Sequence, residues 1–401
     1  HKADHYGIVR LEDLGNFYLP GASDIYKEDA LFQFEKRFVT LAYSTINLKD
    51  VAEPMLKVFG DNGKIGLCFL IATLFRDIVT TNVKAFPMLN LFGPKGSGKS
   101  ELGHTLMSFF IIQNIPPNLS NSTIAALSEA VAQCSNAIVH LDEFKNNIDL
   151  DKREFLKGLW DSAGRTRMNM DRDKKREQTR VDSGVIISGQ EMATADIALF
   201  SRFIYLTFNK TEFTTAEKNA FAELDHMRKL GFTHLTLQIL NHRETFRQNF
   251  QSMYNATATD IMNRLGNETC ETRIVNNWAT IAAAYRTLED QLQLPFGYGQ
   301  VIDICVKGII RQNGECKSNN ETAGFWNAIA HLQQKGELII DSDYKIQYLG
   351  SLKTNKASMH FATTKPILII RRGKSFPLYK KAMREMGENS LPEGSLKYYL
   401  E

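Results

Sequence analysis

Eight consecutive residues, Gly93-Pro94-Lys95-Gly96-Ser97-Gly98-Lys99-Ser100, fill every fixed position of the GxxxxGK[ST] phosphate-loop pattern. Glycines at this spacing let backbone N–H groups converge on phosphate oxygens, at the positive end of the helix that follows. In such a loop Lys99 reaches the β- and γ-phosphates and the Ser100 hydroxyl holds Mg²⁺. A second group is Ile138-Val139-His140-Leu141-Asp142-Glu143, an apolar run that ends in two carboxylates. Asp142 would hold Mg²⁺ from its second shell, and Glu143 would polarise an attacking water. Paired acids here suit hydrolysis, because a kinase must instead exclude water from the γ-phosphate. His140, inside the apolar run, reads as a packed core residue rather than a ligand. ATP and Mg²⁺ are the cofactors these residues imply.

Such groups need a rigid frame. Met88–Phe92 reads as a buried strand entering the loop, and a helix follows from Lys99 to about Phe110, stopped by Pro116-Pro117. A helix over 122–134, capped by Asn121 or Ser122, leads to a strand at 137–141. Next come a helix over 152–163 ended by Gly164, strand-like stretches at 165–170 and 180–188, and a strand at 203–208. This alternation predicts an α/β core with a parallel sheet flanked by helices. Residues 1–25 read as an irregular lead-in, and helical spacing recurs over 26–59 and 62–81.

After Asn209 the pattern is helical to about Gln293, and Pro295-Phe296-Gly297 is the linker signal. The remainder resembles a winged helix: helices near 301–312 and 321–335, then a hairpin at 337–348 turning at Asp341-Ser342-Asp343. Phe325, Trp326, Ile329 and Leu332 share one face and would form its core. Lys335, Lys345, Arg371, Arg372 and Lys374 would meet nucleic acid, a regulatory or protein-docking module being the alternative. The expected division is a lead-in and helical segment at 1–60, the α/β core at 61–210 with a hairpin at 165–183, a helical lid at 211–295, and a winged helix at 296–401.

Three further features follow the paired acids. Gly184-Val185-Ile186-Ile187-Ser188-Gly189-Gln190-Glu191 reads as a central strand with a polar end. Before it, Arg165–Met170 and Glu177–Arg180 flank a charged tip, Asp171-Arg172-Asp173-Lys174-Lys175-Arg176, as a β-hairpin would. Its cations Arg172, Lys174, Lys175 and Arg176 could track a phosphate backbone; a solvated surface loop is the alternative. After the strand, Ser201-Arg202-Phe203 leads into another apolar run.

In this order, the loop, the Asp142-Glu143 strand, the hairpin, Gln190 and the Ser-Arg-Phe triplet resemble AAA+ helicases of the minichromosome-maintenance (MCM) and superfamily 3 group. Within it, the chain looks most like MCM-like replicative helicases of mobile genetic elements, often joined to primase domains. The resemblance covers 86–210 well and 210–295 loosely. It implies that Gln190, or failing that Ser188, positions the lytic water. It implies that Arg202 is a finger completing the neighbouring subunit's site, a structural ion pair being the alternative. A homo-oligomer, hexameric in that family's manner, single-stranded DNA and a linked primase are the implied partners. Gln190 stands where MCM proteins carry Asn, no clear second-sensor motif follows, and Arg273 is the candidate for it. Residues 1–60 show no zinc-binding or OB-fold signature.

Composition sets outer limits. At 401 residues, 43% hydrophobic and 23% charged, the chain is ordinary globular material, which excludes collagen and small disulfide scaffolds. Its 48 basic and 45 acidic residues leave a net charge of +3, so any surface for DNA must be local. The five cysteines are odd in number and form no CxxC pair, which points to a reduced, cytoplasmic-type chain without structural zinc. The longest apolar run, Ile65–Phe75, is too short to span a bilayer. The first residue is His and no leader is evident, so a longer parent chain is expected.

Overall fold

The computed structural model describes residues 44–111, 115–132, 134–168, 176–194, 196–210, 212–318, 323–353, 358–387 and 389–400, with 9–11 and 16–18. They belong to two compact units, His1–Asn313 and Gly314–Glu401.

In the first unit β1 (Val9–Leu11) and β2 (Asn16–Tyr18) pair as an antiparallel hairpin within the expected irregular lead-in. Of the helix expected over 26–59, the described part is α1 (Leu48–Phe59). The Asn47 side chain accepts the Asp50 N–H, and the Asp50 carboxylate accepts the Asn47 N–H, both at 3.0 Å. Gly60, at φ 54°, separates α1 from α2 (Asp61–Leu74), and the chain breaks again before α3 (Arg76–Val83). That second break seats the buried Arg76, whose guanidinium donates to Val181 O at 2.8 Å and Ser162 Oγ at 2.9 Å.

β3 (Met88–Phe92) enters the glycine loop and α4 (Lys99–Met107) leaves it. In α5 (Ile124–Ala132) the N-terminal cap is Thr123, whose hydroxyl accepts the Ala126 N–H at 3.3 Å, rather than Asn121 or Ser122. β4 (Ile138–Phe144) continues through the paired acids. α6 (Leu150–Trp160) stops short of Gly164, which lies in β5 (Ala163–Met168). β5 pairs antiparallel with β6 (Arg176–Arg180), so the hairpin is present. Its tip residues Arg172, Lys174 and Lys175 lie outside the described residues. β7 (Gly184–Gly189), α7 (Ile197–Phe200) and β8 (Phe203–Thr207) follow.

Four strands form one sheet in the order β4-β7-β3-β8, every neighbouring pair parallel. Their side chains are almost all buried, as a parallel sheet covered on both faces requires. Register places Phe92 and Phe144 beside Gly189, and Met88 beside Phe203. The carboxyl ends of β3, β4 and β7 therefore share one edge.

Helices α8 (Thr215–Leu230), α9 (Thr233–Leu240), α10 (Arg243–Leu265), α11 (Thr272–Leu292) and α12 (Tyr298–Ser318) complete the unit. α8 packs on α1, and α11 packs on α2, α10 and β8. Trp278 of α11 is buried, and a Cβ on Gly308 of α12 would lie 2.5 Å from its ring. The segment expected as a lid thus shares the core of the sheet. The division falls inside α12, at Asn313, and not at Pro295-Phe296-Gly297. Among the described residues no single helix is long and apolar enough to cross a membrane.

The second unit contains α13 (Ala323–Gln334), β9 (Tyr344–Lys353), β10 (Ser358–Ile370), α14 (Arg372–Glu385) and α15 (Glu393–Leu400). Phe325, Ala328 and Leu332 of α13 meet Phe376, Tyr379 and Met383 of α14 in its core. Trp326, expected in that core, is 42% exposed, one position around the helix from Phe325. The hairpin expected at 337–348 is instead the antiparallel pair β9–β10. The turn at Asp341–Asp343 precedes β9, held by the Asp343 carboxylate accepting the Ile339 N–H at 2.9 Å. Three of the expected nucleic-acid contacts have protein partners: Lys335 with Glu385 at 2.9 Å, Arg372 with Glu393 at 3.0 Å, and Lys374 with Ser342 Oγ at 2.9 Å.

Candidate active site

The loop between β3 and α4 is shaped by close approach and by left-handed backbone. A Cβ on Gly93 would sit 2.2 Å from Phe208 O, so β8 can run beside the loop only if residue 93 is glycine. Gly96 and Gly98 lie at φ 79° and 91°, where L side chains are strained, and nothing crowds Gly96 within 4 Å. Gly98 caps α4 without a side-chain hydrogen bond, leaving the first-turn N–H groups to an anion. Lys99 is buried and its ammonium donates to Pro94 O at 3.1 Å; Ser97 Oγ donates to the same carbonyl at 2.8 Å. The lysine is therefore folded across its own loop.

Beside the loop opens a cavity of about 740 Å³. Its walls are loop residues Gly96–Glu101, the α1–α2 junction, the end of β8 and the start of α8. Phe59, Phe213 and Phe221 bring aromatic surface to it, and Lys57, Lys210 and Lys218 bring cations. Volume and lining suit a ligand with an aromatic end and an anionic end. Apart from the loop itself, none of these wall residues stands out in the sequence. The nearest signal is the Thr214–Glu217 capping box that starts α8. There Glu217 meets Lys210 at 2.6 Å, and that pairing with the cap holds its carboxyl down at about 2.

At the end of β4 the ladder with β7 shifts register between Leu141 and Phe144. Glu143 occupies φ 61°, a conformation that costs a non-glycine residue of order 1–3 kcal/mol, and its side chain is exposed. The strain is held by Ser120 Oγ donating to Glu143 O at 2.7 Å and by Glu143 N–H donating to Asp142 Oδ1 at 2.8 Å. Asp142 Oδ1 also accepts from Ser188 Oγ at 2.5 Å, and Ser188 lies 2.7 Å from His140 Nε2. Burial lowers the His140 imidazole to about 4, against the raising effect of Asp142. His140 is packed, as expected, and is also joined to the acid pair. The sequence signal for this is alternation: His140 and Asp142 share one face of β4.

Gln190 is exposed one residue beyond β7, and its neighbour Glu191 accepts the Asn146 N–H at 2.7 Å. The structure thus brings the loop, Asp142, Glu143 and Gln190 to one sheet edge. Two strand spacings, about 10 Å, separate β3 from β4 across β7. Hard oxygen donors from Ser100 and Asp142, with an open cradle between glycines, fit Mg²⁺ bound with phosphates and water.

Arg202 is not at that edge. It precedes β8, and its carbonyl accepts the Met88 N–H at 3.2 Å, at the opposite end of β3 from the loop. Its guanidinium donates to Ala198 O at 2.5 Å and lies 5.5 Å from the Trp160 ring. Asp161 is 3.8 Å away, and Nε is buried without a partner. Burial and then the neighbouring Arg273 lower its pKa. Arg273 also faces Trp160, at 5.1 Å, and donates to Ser201 Oγ at 2.8 Å. The two arginines share one patch, remote from their own loop.

No family model matches the chain, and no curated protein matches it. Among solved structures it is similar to SCCmec type IV Cch, described as an active helicase, at TM-score 0.61 and 13% identity. That match covers 88% of this chain and 65% of the other, so this chain spans less than two thirds of that protein's length. An MCM homolog from Methanopyrus kandleri aligns at TM-score 0.39 and 14% identity, covering 67% of this chain and 59% of that one. The C-terminal region of NrS-1 aligns at TM-score 0.30 and 12% identity, covering 84% and 79%. The likeness to the Cch helicase structure gives the mixed α/β core, with its four-stranded parallel sheet, a helicase-like fold.

Proposed function

We propose that the chain is an ATP-dependent DNA helicase or translocase that acts as a ring, in replication of a mobile or phage-like element. One observation carries the reading. A glycine loop without a side-chain cap and the Asp142-Glu143 pair lie at the same carboxyl edge of the sheet, and the loop also lines a cavity of about 740 Å³. Gly93–Ser100 bind ATP, Ser100 and Asp142 hold Mg²⁺, Glu143 activates water and Gln190 orients it. Ser188 is already committed to Asp142, which favours Gln190 of the two water-positioning candidates.

Arg202 serves the next subunit's γ-phosphate in a homo-oligomer, a hexamer, a role supported by its place at the far end of β3 from its own loop; a structural pair with Asp161 is the alternative. Arg273, on the same patch, acts across the same interface. The β5–β6 hairpin, tipped by Arg172, Lys174, Lys175 and Arg176, contacts single-stranded DNA in the channel. The second unit, Gly314–Glu401, supplies a winged helix, with a primase domain or protein as the associated partner. The competing reading is an AAA+ ATPase that remodels proteins or loads replication factors without unwinding.

ATP turnover with and without single-stranded DNA, on protein sized by light scattering, tests the proposal. Stimulation by DNA in an oligomer is expected. Turnover indifferent to DNA would favour the remodelling reading, and no turnover in an assembled ring would refute both.

A further inference from the structure

Within the first unit, a polar chain runs from the buried His140 through Ser188 to Asp142. Ser188 Oγ carries a single proton and lies 2.5 Å from Asp142 Oδ1 and 2.7 Å from His140 Nε2. The carboxylate can only accept, so the serine proton points to Asp142. Ser188 must then accept from His140 Nε2–H, which leaves Nδ1 as the bare nitrogen. Nδ1 is indeed buried with no hydrogen-bond partner. Leaving such an atom unpaired is costly, so the ring is held there by something else.

That something is α4. A Cβ on Gly103 would lie 2.6 Å from His140 Cε1 and 2.9 Å from Nδ1, so the imidazole rests against helix backbone. Gly103 is one turn beyond Lys99 and next to Leu102, on the helix that begins with Lys99 and Ser100. The relay therefore starts on the loop helix, crosses β4, passes through β7 and ends on one oxygen of Asp142. Oδ1 also receives the Glu143 N–H at 2.8 Å. With Oδ1 doubly occupied, Oδ2 is left without a hydrogen bond among the described residues.

We propose that His140 and Ser188 are positioning residues, a buried relay that fixes the Asp142 carboxylate so that Oδ2 faces Mg²⁺. This rests on the nucleotide-site reading above. Outer-shell partners of this kind tune affinity for the metal by orienting the group that meets it. Because the relay is anchored on α4, it sets the carboxylate relative to the Ser100 hydroxyl. A glycine is then required at 103 for metal geometry as well as for packing.

The test is calorimetric binding of a non-hydrolysable ATP analogue across a Mg²⁺ series and in EDTA, using full chains. The variants are Ser188→Ala, His140→Leu and His140→Gln, with Asp142→Asn as reference. Ser188→Ala and His140→Leu should need about 10–100-fold more Mg²⁺ for half-maximal tightening, with affinity in EDTA within about twofold of the parent. His140→Gln should return toward the parent, since its amide offers an N–H near the place of Nε2. If Ser188→Ala fails to fold, the two His140 variants carry the comparison. Parental Mg²⁺ demand in Ser188→Ala and His140→Leu, with Asp142→Asn impaired, overturns the relay and leaves the site reading standing. An equal loss in Mg²⁺ and in EDTA also overturns it, because that marks a structural role. If Asp142→Asn keeps parental demand, or the parent binds no nucleotide, relay and site reading fall together.

Discussion

Arg202 decides whether two subunits share one site. β3 has five residues, so Met88 and the loop lie about 15 Å apart along the strand, and Arg202 is bonded beside Met88. An arginine side chain cannot close that gap around a buried sheet. Arg202→Ala should therefore bind ATP like the parent yet lose most turnover, since such a guanidinium can be worth about 10³–10⁵ in rate. It also gives up its contacts with Trp160 and Ala198, a stability cost of about 1 kcal/mol that a thermal melt will detect. Lys99→Ala should be inactive through the loop itself. In a head-to-tail ring of the two variants mixed equally, about one quarter of interfaces join an intact loop to an intact Arg202. Turnover should recover to about that fraction of the parent, read by phosphate release on particles sized by light scattering. Mixed oligomers that recover nothing would refute the shared site and leave Arg202 as a partner of Asp161 and Trp160.

Glu143→Gln should bind ATP normally and hydrolyse it about 10²–10⁴-fold more slowly, measured in a single turnover. Near-parental turnover would remove the water-activating role. Replacing Lys174 and Lys175 with Ala should spare basal turnover and abolish stimulation by single-stranded DNA, each lost contact lowering the salt slope of binding by about 0.7. Unchanged DNA binding in the double variant would make the tip a surface loop. The Glu217 carboxyl, lowered from 4.5 to about 2 by Lys210 and the α8 cap, stabilises the fold above its unfolded pKa. That stability is lost as pH falls from about 4.5 toward 2, so the melting difference between parent and Glu217→Gln should shrink over that window. A difference independent of pH would exclude the carboxylate as its source.

Legibility in the sequence followed the period of each element. Continuous apolar runs marked β3, β4, β7 and β8, because a strand buried on both faces has no polar side to confuse it. The loop was legible for a different reason, since its glycines are forced by Phe208 and by positive φ, not by packing taste. Ends were harder. α6 stops at Trp160 and not at Gly164, because Trp160 is held by Asn277 of α11 at 2.9 Å, a partner far away in sequence. The same blindness hid the cavity wall, where α1, β8 and α8 meet. In the second unit Ile339 and Ile340 looked like strand but are exposed, while the true strands lie further along. Alternation along β4 puts His140 and Asp142 on one face, but the Ser188 bridge between them comes from β7, a strand that alternation within β4 does not reach.

In the proposed ring the two ends of the sheet would carry opposite duties, and the hairpin joins them. β5 begins three residues after Trp160, the ring beneath Arg202 and Arg273. β6 ends at Arg180, and the chain passes through Val181 and Asp182 into β7, which carries Ser188 and leads to Gln190. One arm of the hairpin is thus rooted beside Trp160, the other in the strand whose Ser188 hydrogen-bonds Asp142 of β4. The junction is not loose: Val181 O accepts from the buried Arg76, and Asn136 N–H donates to Asp182 O at 2.8 Å. A shift of β7 or of the Trp160 patch against the core would be passed to the hairpin through its roots. Under the ring reading those are the two places where nucleotide is felt. Tip motion would then report occupancy at two adjacent sites at once, which is what hand-over of a DNA strand around a ring requires. Spin labels at the tip should accordingly respond to nucleotide in the parent, and respond less when Arg202→Ala silences one root while ATP still binds at the other.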